Sequence, residues 1–315
     1  MALFDAYSLM DFSARSTPSP AKPSADACWL GTCGAGQKLR VEYFRTRHSA
    51  MRAWSQWTSD QAEQKRRVLA GFDFAFGTPQ GFVSAARLGP GDWSWRALWR
   101  FLAKHIEDDE ANRNNRFEVA AAMNARIGRE PPGPWWGGPP SQLRTLDTLR
   151  TRRGFDWPYP VTKTKAVQRL RATDRRASGA QEVWKLAGVG SVGSQSLLGI
   201  PALASRKIGP TQEPWAPRST VWPMQTGFKP PPRHERGKRV VLVEAFPSLR
   251  PNETRAKLNR HRGIRDAAQV DTWCQWARCL DRHDQLAPLF ERPAGLTDTE
   301  YHACVDEEGW IFGVT

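Results

Sequence analysis

Apolar and polar positions alternate first in short bursts. Residues 6–13, 28–33 and 39–46 are β-compatible runs separated by Ser/Pro-rich and Gly-rich turns, a pattern that predicts three antiparallel strands. Residues 49–67 favour helix and lead into an apolar run, 68–76, closed by Gly77 and Pro79, which predicts a helix and a fourth, central strand. From Gly89 to about Arg176 the character changes. A Trp-rich helical stretch (93–105) and a second one (116–128) precede a Pro/Gly/Trp-rich segment (131–140), which together suit an insertion better than a sheet. After a Gly/Pro-rich stretch (187–232), residues 239–248 form the clearest strand of the chain, apolar except for one acid, and a helix is predicted over 266–281. The loop-rich end closes on WIFGVT, a last strand or a strap. The pattern divides the chain into a first core part (1–88), a helical, basic insertion (89–180) and a second core part (181–315), an α/β arrangement without internal repeats.

Composition then narrows the partners. The 315 residues are 40% hydrophobic, enough for a real core, and carry a formal charge of +14. Such a surplus favours polyanions, nucleic acid first, through counterion release, although an Arg-rich coding bias gives the same number. The charge is dense over Gln142 to Arg176, where ten Lys or Arg face three Asp with Phe155, Trp157 and Tyr159 interleaved. That mixture suits sugar-phosphate and base contacts, or else a solvated charged face, and Trp135 and Trp136 are candidates for stacking. No stretch approaches the ~18 apolar residues of a membrane span, and the first residues lack a basic segment followed by a long apolar one, so a cytoplasmic protein without a membrane partner is expected. Cys28, Cys33, Cys274, Cys279 and Cys304 lack zinc-finger spacing and are expected as reduced, structural thiols.

The chemistry-bearing residues are acids. Asp11, Asp73 and Glu244 each stand near the carboxyl end of an apolar run. Burying a lone charge is unfavourable unless something pairs with it. Basic partners such as Arg15 and Lys185 would do so, and so would divalent cations gathered between neighbouring strands; three such acids on adjacent strands favour the metal. A fourth, Asp271, sits beside Val270, Trp273 and Cys274 on the helix of 266–281, from which it could reach the acidic end of the sheet. Asp266, five residues earlier, lies off that face and is a second-choice ligand or a helix-start acid.

Gly188, Gly190 and Gly193 match a dinucleotide-binding pattern, yet Gly199 and Pro201 follow too soon for the crossover helix that such a unit needs. The same loop, with Ser191, Ser194 and Gln195, could instead cradle a phosphate, or be a tight packing turn. Arg171 and Lys185 are candidate phosphate contacts. The histidines form no close pair; His234 or His261 could assist proton transfer, a surface role being the plainer assignment.

The segments MDFSARS (10–16), FDFAFGTP (72–79), NRFEVAAAMNARIG (115–128), WKLAGVGSVGSQSLLGIPAL (184–203), VWPMQTGF (221–228), VEAFPS (243–248) and RDAAQVDTWCQWA (265–277) together resemble a bacterial group within the predicted RNase H-like nucleases of unknown function. The resemblance runs over nearly the whole chain. It implies a ribonuclease H-like mixed five-stranded sheet flanked by helices, with 1–88 and 181–315 forming the core around the insertion. It also implies that Asp11, Asp73, Glu244 and Asp271 hold one or two Mg²⁺ or Mn²⁺ ions, for in-line attack of an activated water on a phosphodiester. The chain departs from the superfamily in one respect: Ala268 stands three residues before Asp271, where many members carry a second helical acid. The expected function is therefore a metal-dependent nuclease. The alternatives are a non-catalytic nucleic-acid-binding module, and a role in nucleotide or cofactor metabolism, since some relatives of the group are associated with cobalamin or molybdopterin biosynthesis.

Overall fold

Strands that are apolar or small at nearly every position must be covered on both faces, and four of the longer strands here are buried from end to end. In a computed structural model that describes residues 2–34, 36–204, 219–231 and 239–315, these are β1 (Ala6–Asp11), β2 (Cys28–Gly34), β4 (Val68–Phe72) and β8 (Val240–Glu244). Edge strand β3 (Arg40–Phe44) is half-exposed. A separate two-stranded ribbon joins β5 (Tyr159–Pro160) to β6 (Ala166–Val167). The main sheet has six strands in the order β3-β2-β1-β4-β8-β7, one more than the five expected. The extra strand, β7 (Ser219–Val221), is three residues long and borders Pro223, too short for any period-2 signal in the sequence. The β1–β2–β3 meander is antiparallel, and β1, β4, β8 and β7 run parallel.

Two hydrophobic clusters fill the two faces. On one, α1 (Arg47–Glu63) lays Met51 and Trp54 against Met10, Leu30 and Phe72. Residues from 89–180 join the same cluster through α3 (Trp95–His105) and α4 (Arg116–Ile127), which bring Trp99 and Met123, and through Trp135 and Val167. On the other face α9 (Arg265–Arg282) buries Val270, Trp273 and Cys274 against Leu9 and Val243. Two glycines allow that close approach: a Cβ on Gly31 would meet Val270 Cγ1 at 2.5 Å, and one on Gly71 would meet Trp273 Cζ2 at 2.8 Å. The remaining short helices are α2 (Phe82–Ala85), α5 (Pro140–Leu143), α6 (Ala172–Arg176), α8 (Pro251–Lys257) and α10 (Asp298–Ala303).

The predicted end of the chain is a strap: Ile311 bridges to Glu244, and Phe312 N–H donates to Glu244 O at 2.9 Å. Gly199 and Pro201 do not prevent a helix after the glycine loop. Helix α7 (Val192–Ala204) runs through both Gly199 and Pro201, and its buried apolar surface compensates for the hydrogen bond that Pro201 cannot donate. A dinucleotide unit is still not formed, because the segment before the loop contributes one bridge, Lys185 to Trp136, rather than a strand of the sheet. All five cysteines are free, and among the described residues no helix is long and apolar enough to cross a membrane.

Candidate functional site

Strand register decides which acids meet. Asp11 ends β1, Glu244 ends β8, and Asp73 follows directly on β4, with its N–H donating to Met10 O at 3.0 Å. Met10 pairs with Phe72, which places Asp11 level with Asp73 on neighbouring parallel strands. Glu244, however, pairs with Phe72 and not with Asp73. Side chains alternate between faces with period 2, so Glu244 shares the face of Phe72, while Asp11 and Asp73 share the face covered by α9.

On its own face Glu244 is neutralised. Buried Arg171 donates to Oε1 at 2.6 Å and to Oε2 at 2.7 Å, and also holds Asp174 through hydrogen bonds of 2.7 and 3.0 Å. Phe76 N–H adds a bond to Glu244 Oε2 at 3.1 Å. Burial disfavours the guanidinium's charge, but Asp174 and Glu244 together hold its pKa well above the usual value. Glu244 and Arg171 were expected as a metal ligand and a phosphate contact. Each is instead engaged by the other, with both carboxylate oxygens occupied.

Asp11 and Asp73 have no such partner. Burial, and then the charges of Asp73, Asp266 and Asp26, push the Asp11 carboxyl well above the carboxylate range. Burial, Asp266 and Glu244 push Asp73 up to about 7. Among the described residues no Lys, Arg or His forms an ion pair with either.

The helical acid at this centre is Asp266 rather than Asp271. Residues five apart on a helix differ by about 140° around the axis and ~7.5 Å along it, so only one of the two can face the strand ends. Asp266, in the first turn of α9, accepts the Asp26 N–H at 2.7 Å, and burial with the charge of Asp26 raises its pKa. Asp271 turns to the loop after α8, where it binds Lys257 Nζ at 2.7 Å, His261 Nε2 at 2.8 Å and Gln275 Nε2 at 2.6 Å, with Arg260 at 3.6 Å. Burial opposes ionisation of Asp271, but Lys257, His261 and Arg260 hold its pKa below the usual value. The same bond engages His261; His234 lies outside the described residues.

A cleft of about 440 Å³ opens beside the strand ends, with Asp73, Arg171, Glu244, Gln195, Phe246 and Arg265 among its lining residues. Val189 stands on its rim, 95% exposed. Of the expected phosphate contacts, Gln195 lines this cleft while donating to Phe12 O at 2.9 Å. Lys185 folds back on its own loop, donating to Val189 O at 2.7 Å. Ser194 is fully buried between Arg116 and Leu186 O, so a phosphate cannot reach it, and Ser191 is only partly exposed. Arg15 sits 3.6 Å from Asp26. The expected stacking residues pack inward: Trp135 and Tyr159 are buried, Phe155 and Trp157 pack against each other, Trp157 stacks on Trp184, and Trp136 Nε1 donates to Glu182. What 142–176 presents to solvent is charge, from residues such as Arg152, Arg153, Lys163 and Lys165.

No family model, curated protein or solved structure matches this chain. Among the described residues, no three or more His, Cys, Asp or Glu side chains are grouped to hold a metal ion. The four-carboxylate, two-ion arrangement does not fit, since Glu244 and Asp271 are each held by cations of the protein. A narrower arrangement does fit: Asp11 and Asp73 are unpaired acids on adjacent strand ends, and Mg²⁺ is commonly held by one or two carboxylates, with waters and substrate oxygens completing its shell.

Proposed function

We propose that the chain is a metal-dependent phosphodiester hydrolase of the ribonuclease H-like kind, acting on nucleic acid at the carboxyl ends of β1 and β4. The observation that carries this reading is the pair Asp11 and Asp73, two acids set side by side without a cationic partner among the described residues, whereas buried Asp174, Glu182, Glu244 and Asp271 are each held by a cation and Asp281, Glu307 and Glu308 each accept from backbone N–H groups. The order β3-β2-β1-β4-β8, with its antiparallel meander and parallel continuation, supports the fold part of the reading. The charge of +14 supports a polyanionic substrate.

Asp11 and Asp73 would hold Mg²⁺ or Mn²⁺, which when bound supplies water activation and charge neutralisation at the phosphodiester. Asp266 adds negative potential at the pair and tightens cation binding from the helix side. The Arg171–Glu244–Asp174 network fixes the floor of the cleft and the strap at Ile311, and Arg265 at the rim offers a guanidinium to a phosphate oxygen. The test is Mg²⁺-dependent cleavage of labelled single-stranded and duplex oligonucleotides. Asp11→Asn and Asp73→Asn each lower the rate at least 100-fold, and Asp271→Asn leaves it within about threefold. Equal cleavage by wild type and Asp11→Asn contradicts the assignment.

The neutralised state of Glu244 favours a second reading, a nucleic-acid-binding module without turnover. Salt-sensitive oligonucleotide binding that neither needs Mg²⁺ nor leads to cleavage selects it.

A further inference from the structure

The strongest basic run outside 142–176 is one that charge counting over the whole chain conceals. Residues 250–265 carry six Lys or Arg and a single acid, Glu253. Three of these cations are engaged by partners. Arg250 lies 3.9 Å from Glu253 and over the Trp276 ring, and Lys257 and Arg260 serve Asp271. Arg255 and Arg265 are exposed and form no ion pair with a carboxylate among the described residues, Arg265 acting on neighbouring Asp266 only through its charge.

These two arginines line one pocket of about 320 Å³, between the turn Pro247–Leu249, α8 and the start of α9. No carboxylate is among its lining residues. Its wall includes Thr254, only 4% exposed, whose Oγ1 is buried without a hydrogen-bond partner. Leaving a buried hydroxyl unsatisfied is unfavourable by ~1–3 kcal/mol, so an acceptor that could enter the pocket would be held there. On the same wall Gln269 donates to Ser248 Oγ at 3.2 Å, which leaves the Ser248 hydroxyl proton free to point outward. Two guanidinium groups and two hydroxyl donors, with no anion of the protein among them, form a binding site for a tetrahedral oxyanion. Ser248 and Arg265 also line the cleft that contains Asp73, so the pocket and the cleft share a wall.

We infer that this pocket binds a phosphate of the substrate strand that flanks the scissile one, with Arg255 and Thr254 as its own contacts and Arg265 shared with the cleft. That the phosphate belongs to a nucleic-acid strand rests on the hydrolase reading above; that the pocket binds phosphate does not. The pocket orients the strand relative to Asp11 and Asp73 by holding its backbone rather than by reading bases.

The experiment is calorimetric titration of the full chain with inorganic phosphate, followed by binding of a fluorescent single-stranded oligonucleotide across a salt series. Wild type binds one phosphate. Arg255→Glu weakens phosphate at least tenfold, and Thr254→Val weakens it about threefold. Arg255→Gln reduces the slope of log affinity against log salt for the oligonucleotide by about one. No phosphate binding by wild type, or equal binding by wild type and Arg255→Glu, overturns the pocket. Phosphate binding lost in Arg255→Glu with an unchanged oligonucleotide affinity and salt slope overturns its role for a strand. Mg²⁺ binding by wild type, measured alongside, separates the readings: Mg²⁺ bound without phosphate removes the pocket alone, and phosphate bound without Mg²⁺ removes the metal centre alone.

Discussion

Glu244 and Asp73 stand at the ends of neighbouring parallel strands and line one cleft, and burial raises the pKa of both, yet only at Glu244 does a cation, Arg171, oppose that rise. Glu244 receives both forks of a buried guanidinium; Asp73 meets burial and the like charges of Asp266 and Glu244. A single position of strand register separates them, because it sends one to the face of Arg171 and the other to the face of α9. The paired region is built for rigidity: removing a partner there leaves an uncompensated charge. The unpaired region holds repulsion that only protonation or an added cation relieves, which is what a binding site needs and a structural one avoids.

Breaking the paired side has the largest expected effect. Arg171→Ala leaves Glu244 and Asp174 buried without a cation and lowers stability by about 3–5 kcal/mol in urea denaturation, and adding Glu244→Gln and Asp174→Asn to it recovers a large part of that loss. On the unpaired side the sign reverses. The Asp73 pKa of about 7 lies above the ordinary ~3.9 of an unfolded aspartate, so the folded chain keeps a proton that the unfolded chain releases. The associated stability is fully present below about pH 4 and is lost as pH rises through about 7. Asp73→Asn, free of this loss, is therefore more stable than wild type at pH 8 without divalent cations, on the order of 2 kcal/mol allowing for partial exposure, and equal to it near pH 4. An unchanged or lowered melting temperature at pH 8 would break the comparison.

Asp271→Asn removes the acceptor of Lys257 and His261 and weakens the packing of α8 on α9 by about 1–2 kcal/mol, with no change in Mg²⁺ affinity. The smallest effect belongs to the glycine loop. Lys185→Ala deletes one hydrogen bond and a contact with the Trp136 ring, and thermal melts should show a loss of about 0.5–1 kcal/mol.

Much of this architecture is legible in the chain, because long apolar runs and helix-favouring stretches speak for themselves. The strands carrying Asp11, Asp73 and Glu244 and the helix carrying Asp271 all form close to where the pattern puts them. Convergence of their acids was not legible. It depends on register between β4 and β8, which no local pattern encodes, and on which side of α9 packs down on Gly31 and Gly71. The apolar stripe of Val270, Trp273 and Cys274 correctly marks the buried face, but Asp271 reaches around it to Lys257, and Asp266 at the helix start meets the strand ends instead. Arg171 illustrates the same limit, since nothing in a basic segment marks the one arginine that will be buried against Glu244. Aromatic residues scattered among basic ones suggested a stacking surface, whereas Tyr159 and Trp135 fill the core beneath a charged exterior.

The most direct measurement of the central claim is calorimetric titration of the protein with Mg²⁺ and Mn²⁺, comparing wild type, Asp11→Asn/Asp73→Asn and Glu244→Gln. The account predicts cation binding by wild type, its loss in the Asp11/Asp73 double variant, and its survival in Glu244→Gln. No binding by wild type, or binding that depends on Glu244 and not on the two aspartates, would contradict it.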